Sequence, residues 1–293
     1  MKLPAASCRE SSILKEQIIY SNRSLTPQQA TGNALAPGFR KPSNEITTKR
    51  APAKHRPKGL SLLYEDQDVI VIDKPVGLLT MGTERDKSHT AQAILNDYVR
   101  KGNARSRNRV YIVHRLDRDT SGILIFAKHE QAKRYLQADW TNTEKRYLAI
   151  VYGRLTPTEG TISSYLVENS ALTVYSTSDA SKGKLSHTAY RTLKEAKGFS
   201  LLEIDLLTGR KHQIRVHLSE NGHPVVGDKK YGKKGDDYRW LALHAQSIAF
   251  THPGTGKRLF FETEVPEHFT RLIGNFRPGS PAVKEFLDPK NRI

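Results

Sequence analysis

The chain of 293 residues contains a single cysteine, Cys8. An intramolecular disulfide is therefore excluded, and so is a zinc knuckle built on paired cysteines. Such sparing use of cysteine suits a reducing compartment. No apolar run approaches the roughly 18–20 residues that cross a bilayer as a helix, so no membrane partner is expected. The N-terminus lacks the apolar core of a secretory signal, and Glu10, Glu16 and Glu45 speak against a mitochondrial presequence. Cytoplasm is the default expectation. Neither a phosphate-cradling lysine loop nor a dinucleotide glycine fingerprint is present, which argues against a nucleotide-driven enzyme. Acidic residues are also in short supply: 30 Asp and Glu face 47 Lys and Arg, a net charge of +17. That excess favours a polyanionic partner such as nucleic acid. A basic surface with a solvated tail would give the same number.

The charge is uneven. Residues 1–59 carry +8 of the +17, with frequent Pro, Ser, Thr, Asn and Gln and little hydrophobic periodicity. They read as a basic, disordered tail, either an arm that touches RNA or a solubilising segment. Ordered patterning starts near Leu60. Val69-Ile70-Val71-Ile72 is a buried strand, broken by Lys74-Pro75 and Gly77. Ala91, Ile94, Leu95 and Tyr98 follow helical spacing behind a capping Thr90. Ile123-Leu124-Ile125-Phe126 is a second buried strand, followed by helical spacing at Ala132, Tyr135 and Leu136. Further strands are expected over 147–152 and 199–207, and a hairpin over 241–250 and 258–264. Ile214, His217, Leu218 and Asn221 predict a helix that ends at Gly222. Many strands and few helices, without a βαβ rhythm, predict an α+β catalytic domain over 60–276. Its sheet is expected to be mixed and largely antiparallel, flanked by helices, with a cleft across it. Residues 277–293 read as a polar C-terminal tail.

Two segments concentrate chemistry. His114-Arg115-Leu116-Asp117-Arg118-Asp119-Thr120-Ser121-Gly122 packs charged groups into a tight connection between apolar runs, where a rigid scaffold presents catalytic groups. Taken alone, Asp117 or Asp119 could equally be a turn residue bonding nearby backbone N–H groups. Thr208-Gly209-Arg210-Lys211-His212-Gln213-Ile214-Arg215-Val216-His217 sets basic groups at a helix start, which suits an anion, or else a solvated basic face. His212, His217 and His223 match no standard metal-ligand spacing, and no metal is expected.

These segments, with others in the same order, resemble the RluA-type RNA pseudouridine synthases. The others are Lys74-Pro75-x-Gly77; Glu144-Lys145-x-Tyr147-x-Ala149-x-Val151-x-Gly153; His187-Thr188-x-Tyr190; Gly222-x-Pro224 with Gly227-Asp228 and Tyr231-Gly232; and Leu243-His244-Ala245. The resemblance spans about residues 60–270. Residues 1–59 show no S4-type RNA-binding pattern, so the chain resembles the short members of the family, which act on ribosomal or transfer RNA.

The resemblance implies isomerisation of uridine to pseudouridine in structured RNA, with no cofactor and no obligate protein partner. It makes Asp117 the nucleophile. Burial opposes the charge of a carboxylate and a neighbouring cation offsets that cost; the resemblance assigns this role to Arg215, in a buried ion pair with Asp117. Tyr147 is expected to stack on the target base and Ile214 to pack its other side, around a uridine extruded from the RNA. Arg115 is expected to fill the space the uridine leaves. His114, Lys145, Arg210 and His212 belong to the same motifs and are expected to bind RNA. A catalytically silent RNA-binding or ribosome-assembly factor on the same fold is the alternative, disfavoured by the presence of Asp117, Tyr147 and Arg215 together.

Overall fold

The computed structural model describes residues 56–82, 88–103 and 105–276. The two expected tails lie outside them, apart from residues 56–59. Strands β1 (Ser61–Glu65) and β2 (Val69–Lys74) form a hairpin, followed by α1 (Ala91–Arg100), β3 (Tyr111–Ile112), β4 (Ser121–Ala127), α2 (Glu130–Ala138) and β5 (Glu144–Tyr152). Then come β6 (Glu159–Glu168), β7 (Val174–Thr177), β8 (Lys184–Ala196), β9 (Phe199–Leu206), α3 (Gln213–Glu220), β10 (Leu243–Thr251), β11 (Arg258–Glu262) and α4 (Glu267–Ile273).

The strands make one sheet in the order β1-β2-β4-β10-β5-β9-β8-β6-β7, with β3 on β4 and β11 on β10. The pairing is antiparallel except between β10 and β4. The α+β class with a mixed, largely antiparallel sheet is as the sequence predicts. No helix of the described residues is long and apolar enough to cross a membrane.

The continuous apolar runs have a simple cause. Both faces of the central strands are covered, so alternate residues enter two different cores. Ile70 and Ile72 of β2 face one, with Leu124, Phe126, Leu148 and Ile204; Val69 and Val71 face the other, with Ile123, Ile125 and Phe250. Helix α1 seals the first core with Ala91, Leu95 and Val99, and α2 seals the second with Ala132 and Leu136. Each fully buried Leu or Ile contributes about 1.5–3 kcal/mol. The caps agree with the sequence: Thr90 Oγ1 accepts the Ala93 N–H at 3.1 Å. Gly222 adopts φ 83° just beyond the Asn221 cap of α3.

The parallel contact between β4 and β10 is short, and it ties the Asp117 connection to the middle of the sheet. It pairs Ser121 with His244 and Gly122 with Ala245. Ala245 in turn pairs with Tyr147 of β5, and Tyr147 with Ile204 of β9. The connection that carries Asp117 therefore enters the sheet two strands from Tyr147.

Candidate active site

Backbone bonds on both sides of Asp117 fix its loop. Lys74 is fully buried, and its ammonium donates to the carbonyls of Pro75, Leu78 and Arg118 at 3.0, 2.8 and 3.0 Å. Three acceptors match the three protons of the ammonium. Burial lowers the Lys74 pKa to about 8, against the opposing charges of Asp119, Asp117 and Asp73. Gly77 N–H also bonds the Arg118 carbonyl, at 2.9 Å. On the other side, Thr80 Oγ1 donates to the Leu116 carbonyl at 2.8 Å and accepts the Leu116 N–H at 3.1 Å. The Lys-Pro-x-Gly segment thus serves as the clamp of the Asp117 loop.

Asp117 projects from this clamp with its side chain 27% exposed. Arg215, on the first turn of α3, donates Nη1–H to Asp117 Oδ2 at 2.9 Å. It also grips Asp228 with a two-pronged bond, Nε to Oδ2 and Nη2 to Oδ1, both 2.7 Å. Asp228 is 1% exposed, and its Oδ1 accepts the N–H groups of Lys230 and Tyr231 at 2.9 and 3.0 Å. Burial opposes the Asp228 charge, yet the bonds and charge of Arg215 hold its carboxyl below the usual carboxylate range. Burial likewise opposes the charge of Arg215, and Asp228, followed by Asp117, raises its pKa nonetheless. The Tyr231 ring closes the other side, with its centroid 5.1 Å from the guanidinium carbon.

His212 caps α3 in a left-handed conformation, φ 55°. The Tyr231 hydroxyl accepts the Val174 N–H at 3.0 Å and lies 2.7 Å from His212 Nδ1. In the tautomer where the hydroxyl donates this bond, Nδ1 is its acceptor. The imidazole then carries its hydrogen on Nε2, 3.8 Å from Asp117 Oδ2. Burial lowers the His212 pKa, opposed by Asp117 and reinforced by Arg215, Lys211 and Lys230, which favours this neutral form.

Tyr147 and Ile214 are buried, 8% and 4% exposed. Burial, and then the Asp117 charge, raise the Tyr147 pKa, so its phenol stays protonated close to that carboxylate. Arg115 is exposed beside Asp117, and Arg210 is exposed at the start of α3. Two of the residues expected to bind RNA have partners within the protein. His114 Nε2 accepts the Ile125 N–H at 3.1 Å and its ring packs on Trp140, 4.6 Å between centroids. Burial and then Lys145 lower its pKa to about 3, so it is neutral. Lys145 donates to the carbonyls of Thr143 and Trp140 at 2.6 and 3.3 Å. Both side chains brace the chain around Trp140.

Asp228 and Tyr231 are the partners that sequence reasoning did not assign. A signal existed: a buried guanidinium has five N–H donors to satisfy, more than Asp117 alone can accept.

Residues 68–220 match the family model described as RNA pseudouridylate synthase. A Bacillus subtilis protein described as the uncharacterized RNA pseudouridine synthase YlyB is 36% identical over 232 residues, covering 75% of this chain and 74% of its own. The ribosomal large subunit pseudouridine synthase D of Nitrosomonas europaea is 34% identical over 233 residues, 74% of this chain and 65% of its own. Among solved structures, human RNA pseudouridylate synthase domain containing 1 superposes with a TM-score of 0.59 at 28% identity, covering 71% of this chain and 84% of that one. Human RNA pseudouridylate synthase domain containing 4 gives 0.61 at 23% identity, over 72% and 90%, a likeness of fold.

Proposed function

This chain belongs to the RluA-type RNA pseudouridine synthases, and from that premise we propose that it isomerises specific uridines of structured ribosomal or transfer RNA with Asp117 as the nucleophile. The observation that carries the reading is the partly exposed Asp117 carboxylate, held 2.9 Å from a guanidinium that a second, buried carboxylate keeps in place. The reaction breaks the C1′–N1 bond, turns the uracil and joins C1′ to C5. The C5 proton is lost and N1 gains one, so atoms balance without an oxidant or reductant. Asp117 acts on the sugar as the glycosidic electrons leave with N1. Tyr147 and Ile214 flank the base, which leaves the RNA stack to reach them. Arg115 enters the space left behind, and Arg210 and the other exposed basic groups hold phosphates. The buried phenol of Tyr147 supplies a neutral aromatic face rather than a second charge beside Asp117.

The test uses RNA labelled with [5-³H]uridine, taken from cells lacking this protein. Wild-type protein should release tritium, and Asp117→Asn should release none while still binding the RNA. Release by Asp117→Asn at the wild-type rate would remove Asp117 from the chemistry. A wild-type protein that binds RNA but releases nothing would favour the silent assembly factor.

A further inference from the structure

Among the described residues four non-glycines have positive φ: Lys101, Leu172, Lys197 and His212. Lys101 caps α1, Lys197 lies in the β8–β9 turn, and His212 belongs to the Asp117 site. Leu172 is the apolar one. It lies in the β6–β7 connection, just before Thr173, where Leu172 N–H bonds the Asn169 carbonyl at 2.9 Å and Thr173 N–H bonds Asn169 Oδ1 at 2.9 Å. A short hairpin loop of this kind requires a left-handed residue near its end, a place suited to Gly or Asn. Leu172 holds φ 58° there with 62% of its surface exposed, so neither the backbone nor burial favours leucine.

The tip is also fastened to the site. Lys230 Nζ donates to the Leu172 carbonyl at 2.6 Å, and Val174 N–H bonds Tyr231, the ring beneath Arg215. Val174 and Leu166 pack with Val216 and Tyr231 on α3 and the following loop, and Lys211 pairs with Glu168. Strain and exposure retained at a fixed point beside a reaction centre mark a side chain directed outward at a ligand. Lys230, bonded to the Leu172 carbonyl, is exposed and cationic, and Lys211 is exposed at the base of the same hairpin, where it pairs with Glu168.

We propose that Leu172 is an apolar wedge that packs against the bases flanking the extruded uridine and holds the RNA stack open. Apolar side chains stabilise unstacked base steps in this way, and the proposal rests on the RNA-isomerase reading. The probe is protein-free [5-³H]uridine RNA from cells lacking this protein, refolded with Mg²⁺. Leu172→Gly relieves the backbone strain and should melt no lower than wild type. It should lower kcat/KM for tritium release by about tenfold, the scale of one lost base contact. Leu172→Met should stay within about twofold of wild type, while Leu172→Lys should resemble the glycine variant. Three results overturn the wedge: wild-type kcat/KM in Leu172→Gly, a lower melting temperature for it, or rescue by lysine as good as by methionine. Tritium release by wild type and none by Asp117→Asn supports the underlying reading whichever way Leu172 turns out. No release by wild type removes both.

Discussion

At the residue scale the site is an arginine shared unequally between two carboxylates. Asp228 takes two of the guanidinium's bonds and Asp117 one. The two-pronged geometry fixes a plane, whereas a single bond leaves its acceptor free to move. Asp228 is therefore the positioning residue, and Asp117, 27% exposed against 1%, is the group left available for chemistry. One positive and two negative charges leave the cluster net negative, which is compatible with the nucleophilic role proposed for Asp117. Asp228→Asn removes the charge and one of the paired acceptors. It should reduce kcat by two orders of magnitude or more while moving KM for RNA little, and should destabilise the fold by about 3–5 kcal/mol, the usual cost of breaking a buried pair. Single-turnover tritium release and urea melts measure both. Full kcat in a folded Asp228→Asn protein would mean that Asp117 needs no fixed cation.

At the scale of elements, what was legible depended on how each segment is buried. The Val69 and Ile123 runs announced β2 and β4 because both faces of those strands enter a core. The helix at Gln213–Glu220 was legible from its spacing and Gly222, although its start was not: the cap is His212, in a left-handed conformation and with no side-chain capping bond, where a Ser or Thr would be sought. Strands β6, β7 and β8 left no clear trace in the sequence. They are half exposed, and apart from the small cluster of Leu166, Val174 and Val216 they meet α3 through polar contacts such as Ser164 to His217, 3.0 Å, so no regular apolar alternation marks them. Asp117, Tyr147 and Arg215 were singled out only through the ordered motifs, because each residue alone has a commoner structural use. The parallel β4–β10 contact could not be read at all, since it joins segments more than a hundred residues apart. It depends on Gly122, whose φ is +110° and where an added Cβ would lie 2.2 Å from the Ala245 carbonyl oxygen. Gly122→Ala should cost about 3 kcal/mol or more by combined strain and overpacking. An unfolding midpoint unchanged from wild type would show that β4 and β10 can part without harm.

For the whole molecule, charge and burial together set the response to acid. His244 and His217 are each 1% exposed and have both ring nitrogens bonded to neutral partners. Ser121 and Thr263 hold His244, and Thr188 and Ser164 hold His217. Burial lowers their pKa to about 3 and about 4, so both stay neutral in the folded protein. In the unfolded chain they titrate near the ordinary value of about 6.5. Between those limits the unfolded state binds more protons, so stability falls as pH drops. Each histidine contributes up to about 1.4 kcal/mol per pH unit, close to 3 for the pair once the pH is well below 6.5. The decline begins before most carboxylates titrate. Self-repulsion of a chain already at +17 would produce a similar trend as further protons bind. Salt separates the two causes, because it screens exposed charges and leaves the proton affinity of a buried imidazole largely unchanged. Urea midpoints at pH 7, 6 and 5 should therefore fall with a slope that survives 0.5 M salt (roughly a 4 Å screening length). His217→Gln should make that slope shallower by one proton even if it lowers stability at pH 7. A slope that disappears in salt would assign acid sensitivity to the basic surface and not to the buried histidines.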